Sequence, residues 1–401
     1  MILAATTRLA ETLLRWRTLF GGAGKLRKRM LLDGQPGRAD IWVHAASVGE
    51  LNSAAMLIET LAARHTLLVT TNSETGLERA RAAGWNAALA PLDLPDTLAR
   101  FLNAVSPRVA VTVEAELWPL RAKLLAARRV PHLIVGARMS ERSARRWSRL
   151  PGLIGPVLRN VTALSAQNGD SETRLLALGL PRSALLPRLD LKLLAPARVT
   201  APPASEMRDR TILAASTHPG EDEPILDAFL ALQARRPDLR LILAPRHPDR
   251  ADQLATAIRA RGIAFAQRSG GANDGPLLLA DTLGEMPLWY GRAGICLTGG
   301  SLVDHGGHTP WEPAAHGCAI LHGPHVSNHA EPYAALEQAG GARVTDATSL
   351  PAVLSELLAA PDQARRMGQI ARGVLDEQAG DPAPLLDLIT GLAQKAPDTD
   401  I

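Results

Sequence analysis

Apolar positions along this chain fall into short continuous runs separated by longer stretches with helical spacing. The run Ile41 to Ala46 contains Trp and Val, follows the breaker Gln35-Pro36-Gly37, and predicts a buried strand. Apolar residues resume at Leu51 and continue through Ala54, Ala55, Met56, Leu57 and Ile58, predicting a helix. Thr66 to Thr70, Val109 to Val113, His132 to Val135 and Ala163 to Ala166 repeat the strand pattern, with a polar loop at Asn72–Gly76 opening a helix over Leu77 to Ala83. Leu194 to Ser205 then carries three prolines and little periodicity, as an interdomain linker does. Beyond it the strand pattern restarts at Thr211 to Ala215, Leu239 to Ala244, Leu277 to Ala280, Ile295 to Thr298 and Ala319 to His322.

Strands alternating with helices predict parallel sheets. The fold class expected is therefore α/β, with two Rossmann-like domains whose parallel sheets face across a cleft. On this reading residues 1–30 are an amphipathic N-terminal segment and 31–193 an N-terminal domain. Residues 194–209 are the linker, 210–375 a C-terminal domain and 376–401 a helical tail.

Composition narrows the class. A chain of 401 residues with 46% hydrophobic content suits a globular protein of more than one domain. Cys296 and Cys318 lack zinc-site spacing and read as reduced core thiols. Net charge is only +4, but Lys25, Arg27, Lys28 and Arg29 cluster, as do Arg142, Arg145, Arg146 and Arg149. Such patches serve anionic lipid or phosphorylated substrates, or form a solvated helix face. No nucleic-acid-binding motif accompanies them, so nucleic acid is not an expected partner. Near the N-terminus, Leu9, Leu13, Trp16 and Phe20 form one apolar helical stripe, with Arg8, Glu11 and Arg15 elsewhere. Two readings stand: a helix lying on an anionic membrane surface, or one docked on its own domain.

Candidate chemistry sits at predicted strand ends, where open α/β sheets bind ligands. Glu50 follows the first strand and is either a general base or a first-turn carboxylate capped with Ser47. Glu114 and Glu116 end the third strand, on one face if the segment stays extended, and such neighbours can split their pKa values. Alternatively, one of them caps the helix begun by Pro119. In the second half, Ser216 opens one strand-end loop and Arg246 another, the latter as a fixed charge for a phosphate. The Gly284-Glu285-Met286 turn and the Gly299-Gly300-Ser301 loop offer backbone N–H groups to phosphate oxygens. Glu312 is placed to accept hydrogen bonds from ribose hydroxyls. His218, His247 and His308 lack zincin spacing and read as polar loop residues; no metal or cofactor is expected.

The strings HAASVGE, TTNSETG, PLDLPD, VEAELWP, ARMSERS, AQN, ASTHPGE, APRHPDR, DTLGEM, GGSLVDHGGHTPWEPAAHG and GPHVSN occur in that order. Together they resemble the Kdo transferases, which move 3-deoxy-D-manno-octulosonic acid (Kdo) from CMP-Kdo to lipid A precursors. The resemblance implies an inverting GT-B glycosyltransferase of lipopolysaccharide synthesis, with an acceptor-binding N-terminal and a CMP-sugar-binding C-terminal domain. It implies peripheral or monotopic association with the cytoplasmic face of the bacterial inner membrane. It further implies Glu50 as the base, Glu116 as a second catalytic carboxylate, and Arg246, Gly284, Glu285, Met286, Gly300, Ser301, Thr309, Glu312, Lys192 and Ser216 around the donor. Two departures concern that site: Leu189–Leu194 retains Lys192 but not the family's glycine and final aspartate, and Thr309 replaces an Asn.

Overall fold

The computed structural model describes residues 2–19, 24–114 and 116–395. The chain folds as two compact units: residues through Ala195 with those from Ala379 onward, and Pro196–Gln378.

The first unit is built on strands β1 (Ile41–His44), β2 (Leu67–Thr71), β3 (Ala87–Leu89), β4 (Val109–Val113), β5 (His132–Ala137) and β6 (Ala163–Ala166). All pair in parallel, in the order β3-β2-β1-β4-β5-β6. The connectivity reverses between β1 and β4, and the carboxyl ends of these two strands flank the crevice where such sheets take ligands. Why the strands read as unbroken apolar runs is visible in β1: Ile41 and Val43 enter one core with Val111 and Val135. Trp42 enters the opposite one with Leu68 and Phe101, so both faces are covered.

The second unit repeats the plan with β7 (Thr211–Thr217), β8 (Arg240–Pro245), β9 (Phe265–Gln267), β10 (Leu277–Leu279), β11 (Ile295–Thr298), β12 (Ala319–His322) and β13 (Ala342–Val344). These too are parallel, ordered β13-β12-β11-β7-β8-β10-β9. The ten strands expected from the sequence are all present. The sequence pattern missed β3, β9 and β13, each a three-residue edge strand with at least one side half-exposed, too short to show a period. Cys296 and Cys318 are buried and unpaired.

Both chain ends add helices to the first unit. The helix Ala383–Gln394 places Leu385, Ile389 and Ala393, four residues apart, in the core beside β4. At the other end, the helix Ile2–Leu19 docks through its polar side. Glu11 is only 2% exposed and accepts from the backbone N–H groups of Asp96 (3.0 Å) and Thr97 (2.9 Å) and from the Thr97 hydroxyl (2.6 Å). These N–H groups open the helix Pro95–Val105, whose own N-cap, Leu94, has no side-chain acceptor. Glu11 supplies the missing negative end from a segment more than 80 residues away. Leu13 and Trp16 of the expected stripe remain exposed, at 63% and 64%. Phe20 and the side chains of Arg8 and Leu9 lie outside the described residues. No described helix is long and apolar enough to cross a membrane.

Candidate active site

In the first unit the chain leaves β1 through Ala45 and Ala46 and enters the helix Val48–Ser53. Ser47 caps that helix by accepting the Glu50 N–H at 3.2 Å. The Glu50 carboxylate reaches back in turn: Oε2 accepts from the Ala46 N–H at 2.6 Å, and the Ser47 hydroxyl meets Oε1 at 3.3 Å. This is a capping box displaced by one residue. The capping role foreseen for Glu50 is therefore present, yet the side chain is half-buried at the sheet's reversal point. Burial lifts its pKa above the usual carboxylate value; the charges of Glu114 and Glu116 add to the rise, while the Ala46 N–H and Ser47 oppose it.

Glu116 shifts the other way. Burial alone would raise its pKa, but hydrogen bonds from His44 and Trp118 and the Arg121 charge hold it at about 2. Its Oε2 accepts from the Trp118 indole N–H, from Asn72 at 3.3 Å, and lies 3.5 Å from His44 Nε2. Arg121 is buried, with its guanidinium 5.1 Å from the Trp42 ring and 5.8 Å from that of Trp118. The expected face-sharing of Glu114 and Glu116 does not occur. β4 ends at Val113, and Glu114 adopts a left-handed φ of 56°, so strand alternation stops before it. Glu114 instead pairs with Lys192 at 3.6 Å. The oppositely shifted carboxylates are thus Glu50 and Glu116.

In the second unit the loops after β7, β8 and β11 form one edge. Ser216 sits at a register shift in β7 with φ of 58°, a strained conformation of the kind kept at functional sites. Gly299 packs against it so closely that a Cβ there would lie 2.2 Å from the Ser216 carbonyl oxygen. Arg246 is exposed at the end of β8, its N–H bonded to the Thr217 carbonyl at 3.0 Å.

Several residues expected at the donor site have partners within the protein. The N–H groups of Gly300 (2.7 Å), Ser301 (3.0 Å) and Leu302 (2.9 Å) all donate to the buried carboxylate of Glu221, as does that of His218 (2.8 Å). The loop therefore has no N–H at Gly300 or Ser301 left for a phosphate. Ser301 is itself fully buried and bridges the Thr298 carbonyl and the Gly323 N–H. Glu285 is held by Arg268 at 2.7 to 3.2 Å and by the Thr282 hydroxyl, which keep its pKa at about 2. Met286 packs against the core lined by Leu213 and Trp289, and Gly284 (φ 81°) serves the turn before its helix. Thr309 accepts weakly from the Trp311 N–H at 3.4 Å, next to the helix Trp311–Ala315. Glu312 is exposed and accepts from the Tyr290 hydroxyl at 3.2 Å.

Residues 15–195, which hold the three carboxylates, match the family described as 3-Deoxy-D-manno-octulosonic-acid transferase (kdotransferase). The 3-deoxy-D-manno-octulosonic acid transferase of Haemophilus influenzae is 34% identical over 371 residues, covering 87% of this chain and 86% of that one. The chain belongs to the Kdo transferase family. It is accordingly a glycosyltransferase, and its paired parallel-sheet units are of GT-B type. The crystal structure of UDP-GlcNAc 2-epimerase from Neisseria meningitidis shares this fold, with a TM-score of 0.55 at 12% identity over 88% of this chain and 98% of that one. The C-terminal CMP-Kdo binding domain of WaaA from Acinetobacter baumannii is 28% identical, covering 43% of this chain and 91% of that domain, with a TM-score of 0.41.

Sequence reasoning about this Kdo transferase overlooked Glu221, Arg121 and His44. Glu221 carries the one available signal, a carboxylate directly after a Pro-Gly turn at a strand end, the same placement that singled out Glu50. Nothing in the pattern marks His44 or Arg121, because their partners lie far along the chain.

Proposed function

We propose that this protein transfers Kdo from CMP-Kdo to a hydroxyl of a lipid A precursor, with inversion, and that Glu50 is the base. The observation that carries the reading is the position and ionisation of Glu50. It is half-buried at the carboxyl end of a central strand, with a raised pKa, beside a Glu116 that stays ionised. As the acceptor oxygen bonds to the anomeric carbon, its proton passes to Glu50, and the bond from that carbon to the phosphate oxygen breaks. CMP departs as a monoester dianion. Arg246, exposed at a strand end and free of the Glu221 clamp, stabilises that charge, and Glu312 takes the ribose. Glu221 acts indirectly by fixing the loop that follows β11, and the Gly284–Met286 turn gives shape to the donor pocket without a charged contact from Glu285.

Membrane attachment belongs to the same proposal. The first unit presents Leu13 and Trp16 outward and carries an Arg-rich helix, Glu141–Ser148, with no buried residue. Apolar side chains with a basic patch suit peripheral binding to an anionic cytoplasmic leaflet.

The test is a transfer assay with CMP-Kdo and a tetraacylated lipid A precursor, products weighed by mass spectrometry. Transfer by the native chain and its loss in Glu50→Gln are expected. A product formed only on another acceptor, or undiminished turnover in Glu50→Gln, overturns the assignment.

A further inference from the structure

Histidines scattered through three loops of the second unit converge. His218 follows β7, His247 follows β8 beside Arg246, and His305 and His308 follow β11. The His218 ring stacks on His305 with centroids 4.3 Å apart and planes 25° apart, and on His308 at 5.2 Å and 17°. His247 meets it edge-on at 6.1 Å. Between His218 and His308 the two Nε2 atoms stand 3.0 Å apart. Two lone pairs facing at that distance repel, so one nitrogen carries a proton and donates it to the other.

The charges bearing on this group are mainly basic. His218 faces His305, His308, His247 and Arg250; His308 faces Arg246, His329, His305 and His247. The nearest carboxylate, Glu221, is committed to backbone N–H groups, and Arg250 is paired with Asp222. Asp304, at the rim, lies 3.7 Å from His325. Burial first, and then these neighbours, hold His218 at about 4 and depress His308, so both rings are neutral near pH 7. The facing nitrogens of His218 and His308 are taken up by each other, and no described group of three or more His, Cys, Asp or Glu residues is arranged to hold a metal ion. The geometry suits an anion instead.

We propose that His218, His305 and His308, with Arg246, form an anion site in which the hydrogen-bonded His218–His308 pair takes up a proton as an anionic oxygen group of the sugar nucleotide enters. The group is the phosphate or the sugar carboxylate, and the inference rests on the donor assignment made above. An anion held beside the His218–His308 pair favours the protonated form of that pair and raises its pKa, so binding draws a proton from solvent. Affinity consequently rises as pH falls from about 8 towards about 6, and weakens as pH rises.

Calorimetric titration of the full chain at about pH 7.5, in buffers of different ionisation enthalpy, counts the protons. CMP is titrated into the native protein, and CMP-Kdo into Glu50→Gln to prevent turnover. Uptake of about one proton is expected, and its loss in His308→Gln together with about tenfold weaker binding. His305 is exposed, so His305→Gln tests the site without risk to folding; a partial loss of uptake is expected there. Uptake with CMP identifies the phosphate as the occupant, and uptake with CMP-Kdo alone identifies the carboxylate. Binding of both ligands without proton uptake, or with uptake unchanged in both variants, overturns the site while leaving the donor assignment standing. Failure of both ligands to bind overturns the donor assignment and this site with it.

Discussion

At the scale of single residues, the sequence pointed to Glu50 but not to what its surroundings do to it. Its place between a strand and a helix is local and readable; its raised pKa comes from burial and from Glu114 and Glu116, more than 60 positions on. Replacement by Gln keeps an oxygen for the Ala46 N–H but removes the base, so kcat is expected to fall by roughly 10²–10⁴ with little change in melting temperature. If Glu50 acts as the proposed base it must be ionised, so the acid limb of the native pH–rate profile should lie above the ordinary carboxylate range. Glu116→Gln removes a neighbouring negative charge, lowers the Glu50 pKa, and should move that limb to lower pH; an upward move would contradict the assignment. Glu221 makes a different prediction. Glu221→Ala leaves four N–H groups without their acceptor, at a cost of about 3 kcal/mol, and thermal denaturation should show a fall of roughly 5–10 °C.

Individual elements were legible wherever burial on both faces makes a strand continuously apolar. That holds for β1, β4, β7 and β11, whose carboxyl ends carry candidate site residues or the loops that hold them. The edge strands β3, β9 and β13 escaped because each is three residues long and, unlike the fully buried β10, only partly buried. The N-terminal helix shows the other limit of pattern reading. Its apolar stripe is visible in the sequence, but the docking contact that stands out is a buried glutamate on another helix's N-terminus. The docked and membrane-facing readings are compatible, since the helix docks by Glu11 and exposes Leu13 and Trp16. The variant Leu13→Ser should therefore keep its melting temperature yet float less with anionic vesicles. Unchanged flotation would remove this helix from the membrane proposal.

Across the whole molecule, acid lability follows from buried histidines in the first unit. His132, bonded to the Thr112 hydroxyl at 2.9 Å, is held by burial at about 3, and His44 likewise at about 4. Both groups bind protons more readily unfolded, at about pH 6.5, than folded. Stability is therefore full above about pH 6.5 and declines as pH falls towards these folded values. Glu116 adds to the loss below about pH 4.3, its own folded value being about 2. Melting temperature measured against pH should fall from about pH 6 downward, with a shallower slope in His132→Asn. An equal slope in that variant would place the acid lability elsewhere.

What the sequence determined by itself was the alternation of strand and helix, the two-part plan, and the strand-end positions of Glu50, Glu116 and Arg246. Those follow from periodicity and chain order, which are properties of neighbours along the chain. Tertiary structure alone decided which carboxylate is raised and which is held ionised, that Glu221 claims the N–H groups of the glycine loop, and that histidines from three loops cluster together. Burial, Coulomb interaction and hydrogen bonding act through space, and here they join residues separated by tens of positions.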